Sequence, residues 1–127
     1  MGAQDRPLFW IGSSLDDLRE FPDDVKRVVG FALRRAQCGG KHLNAKPLKG
    51  FGGAGVLEIV EESDGNAYRA VYTVKFAGMI YVLHAVQKKS AAGIATSKRD
   101  IELIRVRLRR AEEHYSQWCT ERKSGHG

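Results

Sequence analysis

Val56-Leu-Glu-Ile-Val-Glu-Glu62, Ala67-Tyr-Arg-Ala-Val-Tyr-Thr-Val-Lys-Phe76 and Met79-Ile-Tyr-Val-Leu-His-Ala-Val86 are runs rich in β-branched and aromatic residues, parted only by Ser63-Asp-Gly-Asn66 and Ala77-Gly78. Runs of this composition bounded by turn residues read as strands. Connections this short make consecutive strands antiparallel. In the middle run Tyr68, Ala70, Tyr72, Val74 and Phe76 share one face, and Arg69, Val71, Thr73 and Lys75 share the other. The stretch therefore predicts the centre of a small antiparallel sheet.

Helical patterns flank it. Leu8-Phe-Trp-Ile11 reads as a first short strand, after which Ser14 is placed to cap a helix over Leu15 to Glu20. Pro22 suits the first turn of a second helix, in which Val25, Val28, Val29, Ala32, Leu33 and Ala36 recur at helical spacing until Gly39-Gly40 stops it. Together they predict an N-terminal helical hairpin with one apolar face. Downstream, Ser97 and Asp100 form a box-like helix start, followed by Ile101, Ile104, Leu108, Ala111 and Tyr115 on one stripe. The outer face of that helix carries Arg105, Arg107, Arg109 and Arg110 and suits an acidic segment or ribosomal RNA as readily as solvent. Residues 119–127 read as a frayed tail.

A chain of 127 residues with 43% hydrophobic and 28% charged content is sized for one hydrophobic core, so residues 1–127 are expected to form a single domain with its core over about 8–115. The net charge of +6 favours polyanionic partners. That charge is concentrated: between Asn66 and Arg110 ten Lys or Arg face two acids, whereas the first 45 residues hold seven basic and six acidic groups. Cys38 and Cys119 stand far apart with no metal-ligand spacing, so neither zinc nor a disulfide framework is expected. The sequence shows neither a signal-peptide pattern nor an apolar run long enough to span a bilayer, and a cytoplasmic location without membrane association is the expectation. The glycines between Gly50 and Gly55 lack the Gly-Lys-Ser/Thr ending of a phosphate-binding loop and read as a connection into the sheet.

Cations punctuate the apolar stretch at Lys46, Lys49, Arg69, Lys88 and Lys89. Such charges at strand margins are either solubilising or gathered on a bound anion. Arg69 is the most informative, because it lies early in what should be a central strand, where a guanidinium needs a partner or a phosphate. His84 is a candidate acid or base, but alternation puts it on a face with Ile80, Val82 and Val86 and favours a packed, hydrogen-bonded histidine. His42, His114 and His126 have no partner nearby in sequence, and no Ser/His/Asp or Cys/His set is evident. Tyr68, Tyr72 and Phe76 read as core, and Trp10 and Trp118 as packing anchors.

Five segments in this order, Lys46-Pro-Leu-Lys49-Gly50, Gly55-Val-Leu-Glu58, Tyr68-Arg-Ala-Val-Tyr72, Tyr81-Val-Leu-His-Ala-Val-Gln-Lys-Lys-Ser90 and Thr96-Ser-Lys-Arg-Asp-Ile-Glu102, resemble the RelE/HigB superfamily of bacterial toxins, especially its phage-related HigB-like branch. The resemblance covers about Leu8 to Tyr115. It implies an α+β fold related to microbial ribonucleases, with an N-terminal helical hairpin on a small, mainly antiparallel sheet and a C-terminal helix. It further implies the toxin of a toxin–antitoxin pair, an endoribonuclease that cuts messenger RNA on the ribosome without metal or other cofactor, through attack of the RNA's own 2′-hydroxyl on the adjacent phosphate.

By that resemblance Lys46, Lys49, Arg69 and Lys89 are the expected catalytic residues, and Lys88, Lys98 and Arg99 are expected to contact RNA. Lys46 or Lys49 would take the proton of the 2′-hydroxyl, while Arg69 and Lys89 would bind the scissile phosphate. Lys89 stands where the best-known members carry arginine, and no tyrosine occurs between Tyr81 and Tyr115, where some members place one. The implied partners are a helix-turn-helix antitoxin, the ribosome with its message, and operator DNA only through the antitoxin complex. Two alternatives share the fold: a ParE-like inhibitor of DNA gyrase that acts by binding, and a degenerate member that retains only antitoxin and operator-DNA interactions.

Overall fold

The computed structural model describes residues 5–52, 55–88 and 96–124. In chain order the elements are β1 (Leu8–Trp10), α1 (Ser14–Arg19), α2 (Asp23–Gln37), β2 (Ala45–Pro47), β3 (Val56–Ser63), β4 (Asn66–Thr73), β5 (Ile80–Lys88) and α3 (Lys98–Ser124). The strands form one five-stranded sheet in the order β1-β5-β4-β3-β2. The pairs from β5 to β2 are antiparallel, as the short connections dictate, whereas β1 runs parallel to β5 after a crossover through most of the chain.

Both sheet faces are covered, which explains why β4 and most of β5 are buried on both sides. Helices α1 and α2 and the joint between them lay Leu18, Phe21, Val25, Val29 and Leu33 against Ile59, Tyr68, Tyr72, Ile80 and Val82. On the opposite face α3 contributes Ile104 and Ala111 to a cluster with Val71, Phe76, Met79, Tyr81 and Leu83. The apolar stripe of α2 is the expected one, with Pro22 at the N-cap rather than inside the first turn and Gly39 at φ +89° beyond the end. Ser14 is not a cap. It is fully buried, and its hydroxyl donates to the Val82 carbonyl at 3.2 Å, tying α1 to β5.

Four further expectations are corrected. Strand β4 ends at Thr73, whose hydroxyl donates to the Gly55 carbonyl and accepts the Lys75 N–H. The chain turns there, so Phe76 joins the α3 cluster instead of the face of Tyr68 and Tyr72. Residues 119–124 are helical rather than frayed: α3 continues through them, with the Arg122 guanidinium 4.8 Å from the centre of the Trp118 ring and Thr120 bonded to the Ser116 carbonyl. Arg107 does not belong to the outer arginine face. It is buried and donates to the Leu83 carbonyl at 2.9 Å and to the Ser13 hydroxyl at 3.2 Å.

The fourth correction concerns His84. Val71 pairs with His84 and Tyr72 with Val82, so Leu83 is an extra residue and β5 carries a bulge. Beyond a bulge the alternation inverts. His84, Val86 and Lys88 therefore turn to the α3 side, away from the face of Ile80 and Val82. The histidine is packed and hydrogen-bonded as expected, on the other side of the sheet.

Candidate functional site

The register of the sheet sets the first half of the site. Lys46 of β2 stands directly across from Glu58 of β3, and Arg69 of β4 stands across from Val60. These side chains belong to the face that α3 covers only in part. Arg69 is buried, and its Nη1 pairs with Glu58 Oε1; the side chains are 7% and 16% exposed. A guanidinium in a central strand must be compensated, and Glu58 does this within the sheet face itself. Above the pair opens a cavity of about 690 Å³, with Lys46, Lys49, Glu58, Arg69, Asn44 and Thr96 as its polar lining and Pro47, Leu48, Val60 and Ile101 as its apolar wall.

The rim that carries Lys49 is pinned from α3. Leu48 donates to the Val56 carbonyl at 3.0 Å and Phe51 is buried, so the segment is anchored on both sides of Lys49. Arg105 then closes over it, 4.7 Å from the centre of the Phe51 ring and donating to the Gly50 carbonyl at 2.7 Å. Gly50 has φ +97°, a conformation that strains any residue with a Cβ. One arginine of the basic helix face thus holds a loop rather than awaiting a partner.

Beside the cavity a second polar cluster fastens the start of α3 to β5. Asp100 accepts from Ser97 at 2.7 Å, contacts His84 Nε2 at 2.9 Å, and pairs with Lys88 at 3.0 Å. Burial pushes the Asp100 carboxyl up; the hydrogen bonds of Ser97, His84 and Lys88 and the charge of His84 overcome it and bring the carboxyl down to about 2. His84 Nδ1 lies 3.5 Å from Arg107, whose guanidinium burial lowers from its ordinary value, opposed by the Asp17 charge and assisted by Arg110. The capping role read for Ser97 is present too, since its hydroxyl accepts the Asp100 N–H at 3.1 Å.

Of the residues singled out in the sequence, Lys46, Lys49 and Arg69 meet at one cavity. Lys88 is engaged by Asp100, while Lys98 and Arg99 stand exposed in the first turn of α3 and do not line the cavity. Lys89 and His126 lie outside the described residues. His114 has a partner after all, the Tyr81 hydroxyl at 2.7 Å from its Nδ1. Glu58 was missed as a site residue. Its signal was present as the lone acid in the first five residues of an apolar strand within a basic chain, which asks for a cation on a neighbouring strand. Among the described residues, no group of three or more His, Cys, Asp or Glu could hold a metal ion, and no helix is long and apolar enough to cross a membrane.

The family model for phage-derived Gp49-like proteins matches residues 16–109, from α1 through the first half of α3, and so includes every cavity-lining residue. The chain belongs to the Gp49-like family. Its fold is that of RelE: the Escherichia coli toxin RelE, solved in the free state as a double arginine-to-alanine mutant, superposes with a TM-score of 0.51 at 18% identity, over 84% of this chain and 97% of that one. The chain is thus a Gp49-like protein with a RelE-like fold. A comparison with curated protein sequences finds no match.

Proposed function

We propose that this Gp49-like protein is the toxin of a toxin–antitoxin pair, of the HigB-like branch, and that it cleaves messenger RNA on the ribosome in the cavity above Arg69. The observation that carries the reading is the convergence of Lys46 and Lys49 with Arg69, which comes from a different strand, on one solvent-open cavity of about 690 Å³. Attack of a 2′-hydroxyl on the adjacent phosphate builds negative charge on the phosphoryl oxygens. Cations already fixed around the site offset that charge without reorganising. The exposed ammonium groups of Lys46 and Lys49 can reach a phosphodiester from two sides, with the Arg69 guanidinium below them.

The partners of this reading are the ribosome with its message and a helix-turn-helix antitoxin that covers the cationic cavity, with operator DNA reached only through the antitoxin complex. Cations gathered inside a cavity rather than spread over a flat face support the nuclease over an inhibitor that acts by binding alone. Induced expression followed by mapping of RNA 5′ ends tests it. Codon-phased cuts in translated messages are expected, and they should vanish in the Lys46→Ala/Lys49→Ala double mutant. Intact messages accompanied by DNA damage would replace this reading with gyrase poisoning.

A further inference from the structure

We infer that Glu58 is the group that accepts the proton of the attacking 2′-hydroxyl, with Arg69 orienting its carboxylate and Lys46 and Lys49 serving the phosphate. The inference rests on the nuclease reading and changes its proton chemistry. An ammonium group has no lone pair to offer a proton, whereas a carboxylate has. Among the described residues Glu58 is the only carboxylate that lines the cavity.

Accessibility separates the roles further. The Arg69 side chain is 7% exposed, and its Nη1 is taken up by Glu58 Oε1, so it lies beneath the carboxylate rather than at the rim. Glu58 is the more open of the two at 16% and lines the cavity. Lys46 stands directly across the strand pair from Glu58. This is the arrangement of a base held by a third group, with the buried guanidinium in the orienting position.

The step balances within these groups. Glu58 takes the proton as the 2′-oxygen to phosphorus bond forms. The bond from phosphorus to the 5′-oxygen breaks, and the departing oxygen takes a proton from the ammonium of Lys46 or Lys49. The products are a 2′,3′-cyclic phosphate and a 5′-hydroxyl, and exchange with solvent restores both side chains.

Single-turnover cleavage of a defined message on purified ribosomes tests the assignment, with binding measured separately on a message carrying a 2′-deoxynucleotide at the cleavage position. Glu58→Gln is expected to cleave at least ~100-fold more slowly while binding the uncleavable complex within a few-fold of the parent. Glu58→Ala, which opens space, should be accelerated by added formate and more by the stronger base acetate, but not by trifluoroacetate, which matches their charge without their basicity. Undiminished cleavage by Glu58→Gln would overturn the proposal, as would equal rescue by trifluoroacetate, since Glu58 would then only neutralise Arg69. An unmodified protein that leaves the message intact would overturn the nuclease reading itself, and the assignment with it.

Discussion

Replacing Asp100 by asparagine removes one charge from the cluster that fastens α3 to β5, and the structure sets the size of the effect. The carboxyl moves from 3.8 to about 2 on folding, and at about 1.4 kcal/mol per pH unit this shift is worth about 2 kcal/mol. Its side chain is only 11% exposed, so little of this is lost to solvent screening. Because the folded value lies below the unfolded one, the contribution is complete above pH 3.8 and is lost as pH falls through about 2. Urea unfolding should therefore show Asp100→Asn weaker by about 2 kcal/mol at pH 7, and the deficit should narrow to about half at pH 3. In a thermal melt at pH 7 the same deficit corresponds to about 6–10 °C for a chain of this size. A deficit that stays constant from pH 7 to pH 3, or a melting temperature lowered by less than about 2 °C, would mean that the Asp100 charge does not hold α3 to β5.

Three further outcomes follow from single contacts. Gly12→Ala should destabilise by about 1–3 kcal/mol in chemical unfolding, because Gly12 has φ +60° and a Cβ there would sit 2.9 Å from the Arg107 guanidinium, which is itself held by Leu83 and Ser13; a change within experimental error would mean that Arg107 is not fixed. In a spectrophotometric titration the Tyr72 and Tyr81 phenols, both pushed up by burial to about 12, should ionise well above the ordinary phenol value of 10.0, and Tyr72→Phe and Tyr81→Phe should each delete part of the absorbance that appears near pH 12. Arg105→Ala should slow message cleavage through loss of the clamp on Gly50 and Phe51, without a matching loss of melting temperature; a parallel fall in both would make Arg105 a stability residue only.

Much of the fold was legible because its signals are local. The turn residues at Asp64-Gly65 and Gly78 and the helical spacing of Val25, Val29, Leu33 and Ala36 dictate three strands and a helix whatever surrounds them. What escaped depends on pairing between distant segments. Ala45 to Pro47 is too short to read as a strand, and becomes one only because β3 offers it a partner. The bulge at Leu83 leaves no mark in an apolar run, yet it decides which side of the sheet His84 occupies. Arg107 counts as surface in any helical wheel that scores arginine as polar, and its burial becomes intelligible only once the Leu83 carbonyl and the Ser13 hydroxyl are seen to accept from it.

The site divides in the same way. Arg69 could be flagged from sequence because a guanidinium in a central strand demands compensation, and Lys46 and Lys49 from their place at the sheet margin. Glu58 could not be assigned without the register that sets it opposite Lys46 and beside Arg69. Lys88 illustrates the converse. It has the position of an RNA contact in the sequence, but Asp100, brought in by α3 from twelve residues downstream, already holds its ammonium at 3.0 Å.

If the cavity above Arg69 cuts RNA, the chemistry of the cut ends will show it. Messages recovered from purified ribosomes after incubation with the protein should carry 2′,3′-cyclic phosphates on the upstream fragments and 5′-hydroxyls on the downstream ones, and neither should form with the Lys46→Ala/Lys49→Ala protein. Messages that remain intact with the unmodified protein, or the same ends produced undiminished by the double mutant, would contradict it.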